Sequence, residues 1–455
     1  MNISRRSFTA LAAVAVVGAV AGCTGPTPSD ETTPTTTDAA GTPPPGDGGT
    51  FTYWSMWKEG EDQQKVLSEE IEKFTAETGI AVDVQWTGRE VLAQLIPRLT
   101  AGNPPDLVDQ GAPDFAANVG VENLMDLSDT YDMQIPGEDQ KVSDVVPEAL
   151  MSSMQLDSGA PFLVPYEIIG STLWYNAKVT DGVEGNVETW DDFISYLEER
   201  KADGRVPIAL DGDITDYCGY WLEWTLLRAG GPGTIRDAAQ DASGAKFTEG
   251  PWVTATDAVE QLITGGFFPD GFQGTKFPTQ QAAWADQSSD TDFILMGSWL
   301  PSETTASLEK SGGDPASIEF ASVPFPAVGD NAGAGLVIAQ PVGFAVPNKA
   351  QNADQAKQFA AWFMGKERQQ RIATDASNLT ARTDIDPPEA LADFFEEYKN
   401  ATETVLFADG VTIVAPQWVT DVWQPNVASF FGGKLTAEQF REELKTKTAE
   451  LIANS

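Results

Sequence analysis

The chain has 455 residues, enough for two lobes rather than one ordinary core. Its 68 acidic against 28 basic side chains give a formal charge of −40, a field that repels nucleic acid and anionic lipid. Histidine is absent, which removes Ser-His-Asp triads, zinc-binding His pairs and histidine bases, and the two cysteines, Cys23 and Cys218, form no CxxC metal or redox motif.

The acidity reads as the solvated surface of a protein living in high salt, where strong screening tolerates crowded like charges. A cation-binding reading needs clustered Asp motifs, and no EF-hand spacing occurs. No metal and no cofactor are expected.

Residues 1–22 read as an address rather than as structure. Ser4-Arg5-Arg6-Ser7-Phe8 resembles a twin-arginine export motif. The uncharged run that follows is shorter than the ~20 apolar residues that span a bilayer. Val20-Ala21-Gly22-Cys23 resembles a lipobox, which makes Cys23 the expected lipidation site. Residues 23–50 are Thr, Pro, Asp and Gly with almost no apolar side chains, the composition of an extended tether. Cys218 reads as a buried small apolar residue.

The folded part opens with a strand and its exit loop at residues 51–57. Leu67, Ile71 and Phe74 then recur at helical spacing, and Gly79 ends that helix. Ile80, Val82, Val84 and Trp86 alternate as a strand. Val91, Leu92, Leu95, Ile96 and Leu99 share one helical face, and Asn103-Pro104-Pro105-Asp106 breaks it before a strand at Leu107-Val108. Strand-helix-strand-helix-strand argues a parallel sheet with covering helices. Ligands of such sheets bind beyond the carboxyl ends of the strands. That rule nominates Trp54, Ser55 and Trp57 after the first strand, and Asp109, Gln110 and Asp114 after the third.

A second α/β lobe is expected beyond Asn176. Thr189 caps a helix with Asp192 returning the bond, and Trp190, Phe193, Ile194 and Leu197 form its inner face. Residues 206–210 form a short strand, and Tyr217, Tyr220, Trp221 and Trp224 open the next helix. Residues 293–299 form a strand ending in a Gly297-Ser298-Trp299 turn. Ala356, Phe359, Ala360 and Phe363 share a helix face. Thr436 and Gln439 form a capping box for a last helix with Phe440, Leu444 and Leu451 on its core face.

Several segments carry a resemblance, in order and at compatible spacing over residues 50–455. They are residues 98–108, Tyr175-Asn176 with Thr189-Trp190-Asp191-Asp192-Phe193, residues 293–299, residues 340–347, Leu379-Thr380-Ala381-Arg382 and the C-terminal helix. Together they resemble family 1 of the extracellular solute-binding proteins of ABC transporters, the carbohydrate-binding, maltose-binding-protein-like branch. Two departures stand out: Gln340 to Gly343 replace a usual Gly-Gly pair, and Thr380 replaces a usual Pro.

The resemblance implies an α/β chain with the type II periplasmic-binding-protein fold, two α/β lobes joined by a hinge. The expected division is residues 51–165 and 340–380 for the first lobe, and 166–339 and 381–455 for the second. It implies a lipid-anchored receptor on the extracellular face of the cell membrane. Such a receptor captures a sugar or oligosaccharide by hinge closure and delivers it to the permease subunits of an importer. The expected ligand-binding residues are Trp54, Gln110 and Asp114 from the first lobe, and Glu167, Trp221, Trp299 and Trp418 from the second. Carboxylates and amides would bond sugar hydroxyls, and tryptophans would stack on the C–H face. A receptor for a polyamine or peptide is the alternative, and a secreted glycoside hydrolase, which needs only two carboxylates, is a third.

Overall fold

The computed structural model describes residues 48–156 and 158–454, so the export motif, Cys23 and most of the tether lie outside the described residues. Nine strands form the sheet: β1 (Thr50–Ser55), β2 (Ala81–Trp86), β3 (Leu107–Gly111), β4 (Val164–Asn176), β5 (Val206–Ala209), β6 (Thr291–Gly297), β7 (Phe320–Val323), β8 (Leu336–Ala345) and β9 (Glu403–Val405). Their order is β2-β1-β3-β8-β4-β6-β5, with β7 also on β4 and β9 on β8.

The first half follows its sequence signals closely. The helix Asp62–Thr78 buries Leu67, Ile71 and Phe74 and stops at Gly79, whose φ of 75° is the left-handed cap that glycine adopts without a Cβ penalty. The helix Val91–Ala101 buries Val91, Leu92, Leu95 and Leu99. β1 pairs β2 and β3 in parallel, as the strand-helix alternation requires. Thr189 accepts the Asp192 N–H with its hydroxyl at 3.2 Å to start the helix Trp190–Ala202. Thr436 and Gln439 exchange both capping bonds, at 3.0 and 3.2 Å, before the helix Ala437–Asn454. Cys218 is buried, and burial pushes its thiol up to about 12.

Two long strands connect the halves. The first part of β4 pairs antiparallel with β8, from Val164↔Phe344 to Gly170↔Ala339. Its second part pairs with β6, from Ser171↔Gly297 to Tyr175↔Phe293. The expected lobe boundaries at 165/166 and 339/340 therefore fall inside β4 and β8. A register shift between Pro165 and Glu167 bends β4 where it leaves the first lobe. A third connection passes beside it, with the Ile168 N–H donating to the Leu379 carbonyl at 2.9 Å.

Two apolar clusters make up the core, and the first runs from one half into the other through Trp174, Trp284, Ile294 and Met296. One gathers Phe51, Tyr53, Phe74, Phe344 and Phe359. The other gathers Phe193, Trp221, Trp224, Phe293 and Phe325 with Trp418 and Trp423. Among the described residues no helix is long and apolar enough to cross a membrane.

Candidate functional site

The exit of β1 is fixed from below by Asp109. This carboxylate is fully buried and accepts bonds from the Tyr53 and Tyr166 hydroxyls, the Ser55 hydroxyl and the Met56 N–H, at 2.6, 2.8, 3.1 and 2.6 Å. Burial pushes it up to about 6 against the pull of those donors. The Trp57 indole N–H donates to the same Tyr166 oxygen at 2.7 Å, and the Arg89 guanidinium covers its ring at 4.5 Å. Asp109 thus ties three segments together and turns away from any ligand.

Gly111 follows at the end of β3, and its missing side chain matters. A Cβ there would stand 2.9 Å from Asp114 Oδ2 and 3.6 Å from Gln340 Nε2. A carboxylate and an amide therefore converge over one bare patch of backbone. Both are half-buried, and neither makes a side-chain hydrogen bond within the described residues. Burial alone raises the Asp114 carboxyl. Gln340 is paired with Ile169 across β8 and β4, so the patch lies where the lobes meet.

The opposite wall is aromatic. Trp299 follows β6, and its indole lies flat on Gly297, where any Cβ would be 2.2 Å from Cζ3. The Phe407 ring is 6.4 Å from Trp299, and Tyr220 is 5.6 Å from Phe407. Tyr217 is 5.8 Å from Tyr220, and Phe277 is 5.6 Å from Tyr217. All five rings are half-buried and touch one after the next, a continuous aromatic shelf. Asp211, Asp213, Asp216 and Glu303 surround Tyr217 and raise its hydroxyl to about 12, behind the larger effect of burial. The turn of helix after Phe407, Val411–Val414, packs on residues Ala112–Asp114 and Phe115–Val119, which brings the Phe407 segment close to the segment that carries Asp114. Beyond Trp299, a groove of ≈ 730 Å³ opens between Pro301, Ser302 and Glu309 on one side and Asp62, Gln370 and Thr374 on the other.

Of the expected site residues, Asp114 and Trp299 are the two whose side chains remain half-buried rather than buried, one at the bare patch and one on the aromatic shelf. Trp54 is 8% exposed and packs under the helix Val91–Ala101, with Arg98 5.8 Å over its ring. Gln110 is 7% exposed and spends its carbonyl oxygen on the Gly111 N–H at 2.9 Å. Three expectations need correction. Trp221 is enclosed by Phe193, Phe268 and Phe325, and Trp418 by Trp423 and Phe247 with its N–H bonded to Thr448 at 2.7 Å, so neither ring has a free face. Glu167 is 1% exposed inside the bend of β4, where it accepts from Asn378 at 3.2 Å and its other oxygen has no partner. It is a hinge acid, pushed up to about 8 by burial.

Tyr220 and Phe407 were missed. Tyr220 stands three residues after Tyr217, so the two share a helix face, a signal the sequence did carry. Phe407 sits just before a turn that Asp409-Gly410 signals, but that signal does not say which way the ring faces. Among the described residues no cluster is placed to hold a metal ion.

An α/β chain whose two halves share the long strands β4 and β8 has the type II periplasmic-binding-protein fold. The chain belongs to the bacterial extracellular solute-binding protein family, whose sequence profile it matches over residues 57–370. It is similar to the diacetylchitobiose binding protein NgcE of Streptomyces coelicolor, 24% identical over 47% of this chain and 45% of that one. A "probable sugar-binding periplasmic protein" of Mesorhizobium japonicum is 24% identical over 60% of this chain and 64% of its own. The matched stretches thus span about half to two thirds of those relatives' length. Among solved structures, the bacterial solute receptor AcbH superposes with a TM-score of 0.71 at 18% identity, covering 89% of this chain and 98% of that one.

Proposed function

We propose that this protein is an extracellular receptor that captures a sugar or oligosaccharide in the cleft and delivers it to an ABC importer. The observation that carries this reading is the aromatic shelf ending in Trp299, set against the unpartnered Asp114 and Gln340. A sugar ring has an apolar C–H face, which suits a flat aromatic surface, and vicinal hydroxyls, which suit a carboxylate and an amide. NgcE is named for diacetylchitobiose, and AcbH for an exclusive preference for β-D-galactopyranose, which supports a carbohydrate here.

The lobes in this reading are residues 51–165 with 340–380, and 166–339 with 381–455, closing about β4, β8 and the strap at Leu379. Binding rather than catalysis is the function assigned. Cys23 would carry the lipid after twin-arginine export, holding the receptor on the outer face of the membrane through the tether at 23–50. The charge of −40 fits a protein that folds in high salt, and an unchanged melting point in dilute buffer would refute that.

The deciding experiment is a thermal-shift screen of residues 50–455 in molar salt with oligosaccharides, monosaccharides, spermidine and peptides. A ligand at about 100 times its Kd should stabilise by roughly 2.7 kcal/mol. Stabilisation by a glycan supports the reading. A shift with spermidine or a peptide alone overturns the carbohydrate assignment, and a glycan that is converted to products overturns the receptor.

A further inference from the structure

Phe407 is followed by three residues in the left-handed region of backbone space. Ala408 has φ 51° and ψ 32°, Asp409 φ 53° and ψ 26°, and Gly410 φ 70° and ψ 12°. Only the last is a glycine. For a residue with a Cβ this conformation is strained, and consecutive strained residues persist only where the surroundings over-determine them.

The surroundings here do so with two buried carboxyl groups. Glu223, 3% exposed, accepts the Ala408 N–H. Asp409, also 3% exposed, accepts the N–H groups of Gly233, Ile235 and Arg236 at 2.9, 2.9 and 3.0 Å. Glu223 lies on the helix Thr215–Gly230, three residues after Tyr220 and six after Tyr217. One helix face therefore carries two rings of the shelf and the clamp on the third, and the clamped turn delivers that third ring between Tyr220 and Trp299. Burial raises the Glu223 carboxyl well above its ordinary value, and the nearby Asp409 and Asp216 carboxylates add to that shift.

We propose that Phe407 is a specificity-determining ligand contact and that Glu223 is its positioning residue, acting by clamping Ala408 in the left-handed turn. The proposal rests on the reading of the cleft as a ligand site. A ring preset by a strained turn needs no ordering when the ligand arrives, which favours affinity. Glycine at 408 would adopt the same turn without strain and so without the clamp.

That last point supplies the test. Full-length protein and variants are titrated in molar salt with glucose, N-acetylglucosamine and xylose oligomers of about two to six units, with spermidine alongside. Phe407→Leu, at a half-exposed position, should fold and bind at least tenfold more weakly. Glu223→Ala should also lose at least tenfold, Glu223→Gln should keep its affinity because the amide oxygen still accepts the Ala408 N–H, and Ala408→Gly added to Glu223→Ala should recover most of the loss. A purely structural role for Glu223 gives no such recovery. Should Glu223→Ala fail to fold, Ala408→Val replaces it, with the same expected loss. Unchanged affinity in Phe407→Leu overturns the contact, and Glu223→Ala that is not rescued overturns the clamp. Wild-type protein that binds spermidine alone overturns the carbohydrate reading, and the same variants against spermidine then decide the turn by the same criteria. Wild-type protein that binds nothing in the panel overturns both.

Discussion

Trp299 rests on Gly297, two residues before it, so closely that a methyl group on the glycine would stand within 2.4 Å of three indole carbons. The ring cannot hold this position over any other residue. Gly297→Ala should therefore tilt the indole off the shelf while leaving β6 paired to β4. We expect at least a tenfold loss of glycan affinity by calorimetry, with a stability cost of about 1–3 kcal/mol from overpacking. Wild-type affinity in this variant would show that Trp299 does not stack on the ligand.

The tryptophans should separate into two kinds of phenotype. Trp299→Ala removes a half-exposed ring and should cost affinity, about 2 kcal/mol or roughly thirtyfold, with little change in melting. Trp418→Ala removes a ring that is 1% exposed and stacked 5.5 Å from Trp423. It should cost stability, about 3–5 kcal/mol, and the surviving folded fraction should bind normally. Urea melts paired with titrations at matched folded fraction distinguish the two. The opposite pattern would return Trp418 to the site.

The contrast between these rings marks what was legible in the sequence. Periodicity located the helix Thr215–Gly230 and the strand before Trp299, the strand-end rule nominated Asp114, and the family resemblance nominated Trp299; both side chains are half-buried in the structure. Periodicity could not say which side of a helix faces the core when both sides are aromatic, as with Trp221 against Tyr220. Glu167, expected at the site from the second lobe, lies near the start of β4, which runs on to Asn176 and encloses it. Phe407 depends on a left-handed turn held by a residue 185 positions away, a long-range contact that no local pattern encodes.

Arg382 is where the third connection is fastened. Its side chain is fully buried, donating to Glu138 and to the Met364 carbonyl at 2.8 Å and to both oxygens of Asp384 at 2.8 Å. The neighbouring Thr380, where Pro is usual in the family it resembles, donates its hydroxyl to the Arg382 carbonyl at 3.1 Å and so keeps the bend by other means. Removing one partner of such a group leaves uncompensated charge. Arg382→Ala should cost about 3 kcal/mol, the lower end of the range for buried pairs because Asp384 is partly exposed. Chemical denaturation measures it, and a loss under about 1 kcal/mol would place the fastening elsewhere.

Glu167 makes the hinge sensitive to pH in a direction opposite to the usual carboxylate. Its ordinary value is 4.5 and its folded value about 8, raised first by burial and further by Asp109 and Glu61, against Gln63 and Arg89, which favour the charged form. The folded protein thus keeps a proton that the unfolded chain has already released. Between about pH 4.5 and 8 the native state binds more protons, so this group's contribution to stability is complete below the lower value and is lost as pH rises. Glu167→Gln mimics the neutral acid at every pH. Variant and wild type should melt together near pH 4.5, and the variant should gain a lead of several degrees by pH 9. Melting points taken across that range at constant salt decide it. Curves that stay parallel would mean that Glu167 is charged in the fold and compensated by Arg89.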